Sequence, residues 1–160
     1  MSEKITIRKG THAPFRFPQL LIQPRILKYR FMFTDSCRYD IGENDQADVN
    51  KLFGIGYFPS HKITSVRVGW RWDRNVNRIE LMAYGRMNGR FQFKPLGYAP
   101  LNQWINMEIL QGEGNHIINI QGMDPAIIAI PPQPVGYLLR PYFGGNQTAP
   151  HDMTIHMERL

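Results

Sequence analysis

Hydrophobic positions recur with a period of two along most of the chain, and the 3.6-residue period of an amphipathic helix is nearly absent. Ile5 and Ile7 share one side of a first run. Leu27, Tyr29, Phe31 and Phe33 then face one way, with Lys28, Arg30 and Thr34 opposite. Between Thr64 and Asp73 the apolar side carries Val66, Val68, Trp70 and Trp72, and the other side carries Ser65, Arg67, Gly69 and Arg71. Next, Ile79, Leu81 and Ala83 oppose Arg78, Glu80, Met82 and Tyr84. Successive strand residues point to opposite faces, so each run predicts a strand with one buried face. The spacer from Asp73 to Asn77 predicts a hairpin, and Asn88-Gly89 predicts another leading into Phe91 and Phe93. Ile105, Met107 and Ile109 alternate with Asn106 and Glu108 before a turn at Gly112 to Asn115, which returns the chain as His116 to Gln121. Tyr137 to Phe143 and Met153 to Glu158 complete nine or ten strands.

One short helix is expected, capped by Asp45 or Asp48, running through Lys51 and Phe53, and ended by Gly54 and Gly56. Pro14 to Pro24 and Pro125 to Pro134 read as proline-broken connections. There is no internal repeat and no linker, so residues 1–160 are expected to form a single domain. One-sided alternation over many antiparallel strands predicts an all-β fold, a two-sheet antiparallel β-sandwich. Val66, Val68, Trp70, Trp72, Ile79, Leu81 and Ile155 are its expected core. A polar outer face would carry Arg67, Arg71, Arg78, Glu80, Tyr84 and Arg90.

Composition narrows the classes. The 160 residues are 42% hydrophobic and 20% charged, enough for one core and against global disorder. Nineteen Lys and Arg against thirteen Asp and Glu leave +6, which attracts nucleic acid, anionic lipid or acidic polysaccharide without choosing among them. The lone Cys37 excludes an intrachain disulfide and a thiolate zinc site. The first residues alternate polar and apolar, unlike the continuous apolar stretch of a secretory signal. As written, the chain is expected to be cytoplasmic; it would be secreted if the sequence is a truncated piece. Its longest apolar run, Ala126 to Pro132, falls short of the roughly 18 residues of a membrane span, so no membrane partner is expected.

Several stretches carry a resemblance: Ser65-Val-Arg-Val-Gly-Trp-Arg-Trp, Arg78-Ile-Glu-Leu-Met-Ala-Tyr, Asn88-Gly, Arg140-Pro-Tyr-Phe-Gly-Gly-Asn, and Ala149-Pro-His-Asp-Met-Thr-Ile. Together, over about Lys62 to Glu158, they resemble the concanavalin A-like lectin and glucanase jelly rolls, in particular their polysaccharide-lyase-like branch. The resemblance implies a curved sandwich whose concave face holds a saccharide.

Retaining glucanases need one carboxylate to attack and another to protonate the leaving oxygen. The nearest match, Glu43-x-Asp45-x-x-Asp48, lies in a Gly/Asn/Asp-rich segment with no strand period and reads as solvated or capping residues. Those acids also lack calcium-loop spacing, and His151 and His156 would point to opposite faces of a strand, so neither a metal nor a cofactor is expected. Elimination on uronates needs a cation to neutralise the sugar carboxylate and a Tyr or His to move protons. Arg67, Arg71, Tyr84, Arg140, Tyr142 and His156 supply those types, although alginate-lyase patterns are matched only by Tyr142-Phe143 with a following Gly and Gln147. For each the alternative is a cross-strand Arg/Glu pair or a tyrosine on a polar sheet face. Trp70 and Trp72 read as core, Trp104 as the more exposed aromatic, and Cys37 as an inert thiol.

The leading expectation is a lectin-like, carbohydrate-binding domain that recognises an oligo- or polysaccharide, preferably anionic. Arg67, Arg71, Glu80, Tyr84, Arg140, Tyr142 and His156 are the carbohydrate-binding candidates. The alternatives are a polysaccharide lyase acting by β-elimination, and a basic non-enzymatic protein that binds nucleic acid or serves a structural role. No nucleic-acid motif is present for the last.

Overall fold

The computed structural model describes all 160 residues as two six-stranded antiparallel sheets. In chain order the strands are β1 (Glu3–Ile7), β2 (Leu20–Ile22), β3 (Ile26–Phe33), β4 (Asn50–Tyr57), β5 (Ser65–Asp73), β6 (Arg78–Met87), β7 (Arg90–Ala99), β8 (Ile105–Gln111), β9 (His116–Ile120), β10 (Ala126–Ile128), β11 (Val135–Leu139) and β12 (Met153–Arg159). The first sheet runs β1-β12-β3-β8-β9-β10 and the second β2-β11-β4-β5-β6-β7. The sandwich expected from the period of two is the one observed. No helix is long and apolar enough to cross a membrane.

The core lies between the sheets, where 35 buried residues form one cluster. Val66, Val68, Trp70, Trp72, Ile79, Leu81 and Ile155 all belong to it, as do Leu27, Tyr29, Phe31 and Phe33. The hairpins expected at Asp73 to Asn77, Asn88-Gly89 and Gly112 to Asn115 join β5 to β6, β6 to β7 and β8 to β9. Asn88 and Gly89 have φ of 51° and 77°, the left-handed pair that a two-residue turn between right-twisted strands requires. At the edge of the second sheet, β7 carries Pro95 and pairs with β6 through a register shift at Leu81/Met82. Both features interrupt the row of free N–H groups that would otherwise invite another strand.

Three expectations change. The helix placed on Lys51 and Phe53 is instead β4, and the only α-helical turn is α1 (Glu43–Gln46). The run Leu52-Phe-Gly-Ile-Gly-Tyr57 is buried on both faces and holds only apolar residues and glycine, so it lacks the polar alternation that marks β5. The two proline-broken connections contain the short edge strands β2 and β10, each of three residues. Twelve strands therefore replace nine or ten.

Candidate functional site

The outer face of the second sheet follows from the register. Arg67 lies opposite Tyr84 and Gly54, Ser65 opposite Arg86 and Gly56, and Gly56 opposite Tyr137. These residues alternate with the core positions, so their side chains share the side away from the first sheet. Lys51 pairs with Gly69 on the same side and exchanges two backbone hydrogen bonds with Tyr142, at 2.8 and 2.9 Å. Its ammonium lies 5.6 Å from the centre of the Tyr84 ring and 5.9 Å from that of Tyr142, and donates to the Gly144 carbonyl at 3.2 Å. Tyr142 is held flat against His12, with ring centres 4.9 Å apart and planes within 4°.

Two glycines in β4 make this arrangement possible. A Cβ on Gly54 would stand 2.8 Å from Arg67 Cγ, and one on Gly56 would stand 2.7 Å from the Tyr137 ring. The Arg67 and Tyr137 side chains can therefore lie flat across the backbone of β4, and they complete its burial on that face. Tyr137 is fixed in turn by His61, whose backbone N–H donates to the phenol oxygen at 2.7 Å.

Around Arg67 the unpaired charge is positive. Arg67 is 8% exposed, donates to the Arg140 carbonyl at 3.3 Å, and has an Nε with no partner. The Nε of Arg86 is also buried and unpartnered, while its guanidinium lies 4.3 Å from the centre of the Phe91 ring. Arg67, Lys51 and Arg86 make none of the ion pairs in the molecule. Burial, and then the charge of Arg67, bring the Lys51 ammonium down to a pKa of about 8. Burial likewise lowers Arg67 to about 10 and raises the Tyr84 phenol above its ordinary value. His61 is lowered by burial and by Arg67. A guanidinium without a carboxylate partner keeps the planar donor geometry that matches a carboxylate.

The seven candidates from the sequence do not gather at one place. Arg67, Tyr84 and Tyr142 converge. Arg71 and Glu80 share the face but bind each other, and Arg71 also donates to the Ala47 carbonyl at 3.0 Å, so their charges cancel. The Arg140 side chain turns to Glu3 of the first sheet, 3.0 Å away, leaving only its carbonyl beside Arg67. His156 pairs with Lys4 and Met32 on the outer face of the first sheet, across the sandwich from Arg67, where its ring meets Trp104. Lys51, Arg86, Tyr137 and His61 were not singled out in the sequence. Lys51 was hidden by the helical reading of its segment, and the Gly-x-Gly of β4 is the signal that could have exposed it.

Elsewhere, a cavity of about 250 Å³ on the first sheet is lined by Lys28, Asn106, Glu108, Asn119 and Gln121 among others, and one of about 240 Å³ lies beside Arg71 and Arg74. Cys37 is buried, and its thiol is pushed up to about 12 by burial.

No protein-family model matches the chain, and no curated protein matches it in sequence. Solved structures do match in shape. The alginate lyase AlyC3 superposes with a TM-score of 0.63 at 15% identity, over 98% of this chain and 72% of its own. The catalytic domain of a laminarinase from Thermotoga petrophila gives 0.59 at 10%, over 98% and 74%. An alginate lyase from Alteromonas gives 0.53 at 10%, over 96% and 84%. At these identities the likeness concerns the fold. The chain has the concanavalin A-like jelly-roll fold, the architecture it shares with these alginate lyases and this glucanase.

Proposed function

We propose that the protein binds an anionic polysaccharide on the outer face of the second sheet, with Arg67 receiving the carboxylate of a uronate residue and Lys51 beside it. The observation that carries this reading is the buried Arg67 guanidinium, which has no carboxylate partner and has Tyr84, Tyr137 and Tyr142 near it. Burying a charge without a partner costs several kcal/mol, and a bound anion supplies the missing partner. The phenols offer hydroxyls to sugar oxygens and ring faces to sugar C–H groups. A structure of AlyC3, which shares the fold, holds dimannuronate, so the architecture accommodates a uronate in that protein.

A second reading, elimination on the same uronate, is favoured by the placement of Lys51, which lies opposite Gly69, two residues from Arg67, with its amine near the Tyr84 and Tyr142 rings, where burial lowers its pKa. Calorimetry separates binding from its absence. Mannuronate and galacturonate oligomers are expected to bind, and neutral glucose oligomers to bind more weakly. Arg67→Ala should abolish the difference, and Arg71→Ala should leave it intact. Equal affinity for neutral and acidic oligomers would refute the reading. Tighter binding of single-stranded DNA, with a steep loss on raising salt, would move the protein to the nucleic-acid class instead.

A further inference from the structure

We propose that Lys51 is the group that takes the proton from the sugar ring in a β-elimination on this face. The inference rests on the proposed binding of a uronate at Arg67. A uronate carries its acidic ring proton on the carbon directly bonded to the carboxylate, so fixing the carboxylate fixes the C–H bond as well. Lys51 faces Gly69, two residues from Arg67 on β5, which sets the two side chains about 7 Å apart along the sheet on strands about 4.8 Å apart. A carboxylate held by the Arg67 fork therefore places the adjacent C–H within reach of the four-carbon lysine stem.

The surroundings suit a base. The Lys51 backbone is fixed by two hydrogen bonds to Tyr142, and its amine lies between two phenol rings. The titratable and charged groups around it are Arg67 of β5, Tyr84 and Arg86 of β6, Asp48 ahead of β4, Tyr142, and His12 stacked behind Tyr142. Burial and Arg67 disfavour the ammonium, Arg86 adds to this, and Asp48 opposes it without forming an ion pair. A substantial share of the amine is thus neutral at slightly alkaline pH, and the electron pair required for proton transfer is available. Neither histidine near the site is placed as well: His12 is stacked on Tyr142 and donates from Nδ1 to the Phe143 carbonyl, and His61 is hydrogen-bonded to Tyr137.

The step balances without an external reactant. Arg67 neutralises the carboxylate and so stabilises the negative charge that develops on the adjacent ring carbon. The neutral Lys51 amine takes the proton from that carbon. The electron pair of the broken C–H bond forms a carbon–carbon double bond, and the glycosidic oxygen on the next carbon leaves. That oxygen receives a proton from a flanking phenol, Tyr84 or Tyr142, which the new ammonium then restores. The products are a shortened chain with a free hydroxyl and an unsaturated uronate conjugated with its carboxylate.

The test uses the full chain with polymannuronate, polygalacturonate and hyaluronan, following the ultraviolet absorbance of the conjugated product and, in parallel, calorimetric affinity for the matching oligomers. The wild-type protein should generate the chromophore from at least one polymer, at a rate that rises with pH through about 8. Lys51→Arg keeps the charge and length but not the titration. It should bind the oligomer nearly as well yet lose at least about 100-fold in turnover, the usual scale of a general base. Lys51→Gln, which is neutral at every pH, should also be inactive, and circular dichroism of both variants establishes that they fold. If the wild type binds oligomers but yields no unsaturated product, the inference fails while the binding reading stands. If no acidic oligomer binds, the binding reading fails. A Lys51→Arg protein that turns over at the wild-type rate and pH dependence would overturn the assignment outright.

Discussion

Replacing Arg67 by methionine should make the protein more stable while removing its affinity for uronates. The guanidinium is 8% exposed, and its pKa is brought down from 12.5 to about 10, chiefly by burial. At about 1.4 kcal/mol per pH unit, the charged form carries a penalty of about 3 kcal/mol in the fold. Because the folded value lies below the unfolded one, that penalty is present in full at neutral pH and is relieved only in strong alkali. Against it stands one hydrogen bond to the Arg140 carbonyl, 3.3 Å long, which contributes about 1.5 kcal/mol for a charged donor at the weak end of its range. Methionine preserves the stem that covers Gly54 and gives up only the charged head. The expected balance is a gain of about 1.5 kcal/mol, or a rise of roughly 4 °C in Tm for a domain of this size. Scanning calorimetry measures it, with uronate binding followed on the same sample. A lower Tm would show that the guanidinium is satisfied in the folded protein, and retained binding would show that the anion does not use it.

Three further outcomes are expected. Gly54→Ala sets a Cβ 2.1 Å from the Val66 carbonyl oxygen and 2.8 Å from Arg67 Cγ, so β4 and β5 must separate; urea unfolding should show a loss of about 3 kcal/mol, and a loss under about 1 would refute the close packing. Arg71→Ala leaves Glu80 without its partner and should cost about 2 kcal/mol in the same assay, with uronate affinity unchanged; a drop in affinity would put Arg71 back in the site. His116 is fully buried between the Ile130 carbonyl at 2.8 Å and the Tyr57 hydroxyl at 2.7 Å, and burial lowers its pKa below 6.5. Its contribution is therefore present above 6.5 and lost as pH falls through the lower folded value, so Tm should drop between neutral pH and about 5, and less steeply in His116→Gln.

Strands whose residue types alternate were legible: Leu27 to Phe33 buries every second residue, and Val66 to Trp72 alternates apolar residues with Arg67, Gly69 and Arg71 although both faces of β5 are buried as far as Trp70. Strand β4 was not, because Arg67 and Tyr137 cover its second face and leave a continuous apolar run with two glycines, which reads equally well as a helix and its stop. The same concealment affects the site. Arg67, Arg71 and Glu80 look alike as polar outward residues, yet cross-strand register pairs Arg71 with Glu80 and sets Arg67 opposite Tyr84. Nor could spacing alone show that Arg140 points toward Glu3 or that His156 belongs to the other sheet, since both facts depend on long-range strand pairing.

The outer face of the first sheet is the internal control for this reading. It too carries cations at alternate positions, but Arg30 is paired with Glu158 and lies 4.7 Å from the centre of Trp104, and Lys28 faces Glu108 at 3.9 Å. Glu108 accepts in addition from Asn119 at 2.9 Å. The charges of Lys28, Arg30, Glu108 and Glu158 are thus answered within the protein, and Lys4, opposite His156 on that face, makes no ion pair but is exposed to water rather than buried. Opposite it, Lys51, Arg67 and Arg86 stand together without one carboxylate partner, two of them with a buried Nε that nothing accepts from. Both faces obey the same period of two. What separates them is the placement of acids. On the first sheet Glu108 and Glu158 sit directly across from Lys28 and Arg30, whereas on the second Gly54 and Gly56 occupy the positions where an acid would have met Arg67 and Ser65. The pair of glycines withholds the counter-charge and leaves Arg67 without a partner from the chain, which is the condition that the proposed binding of a uronate requires.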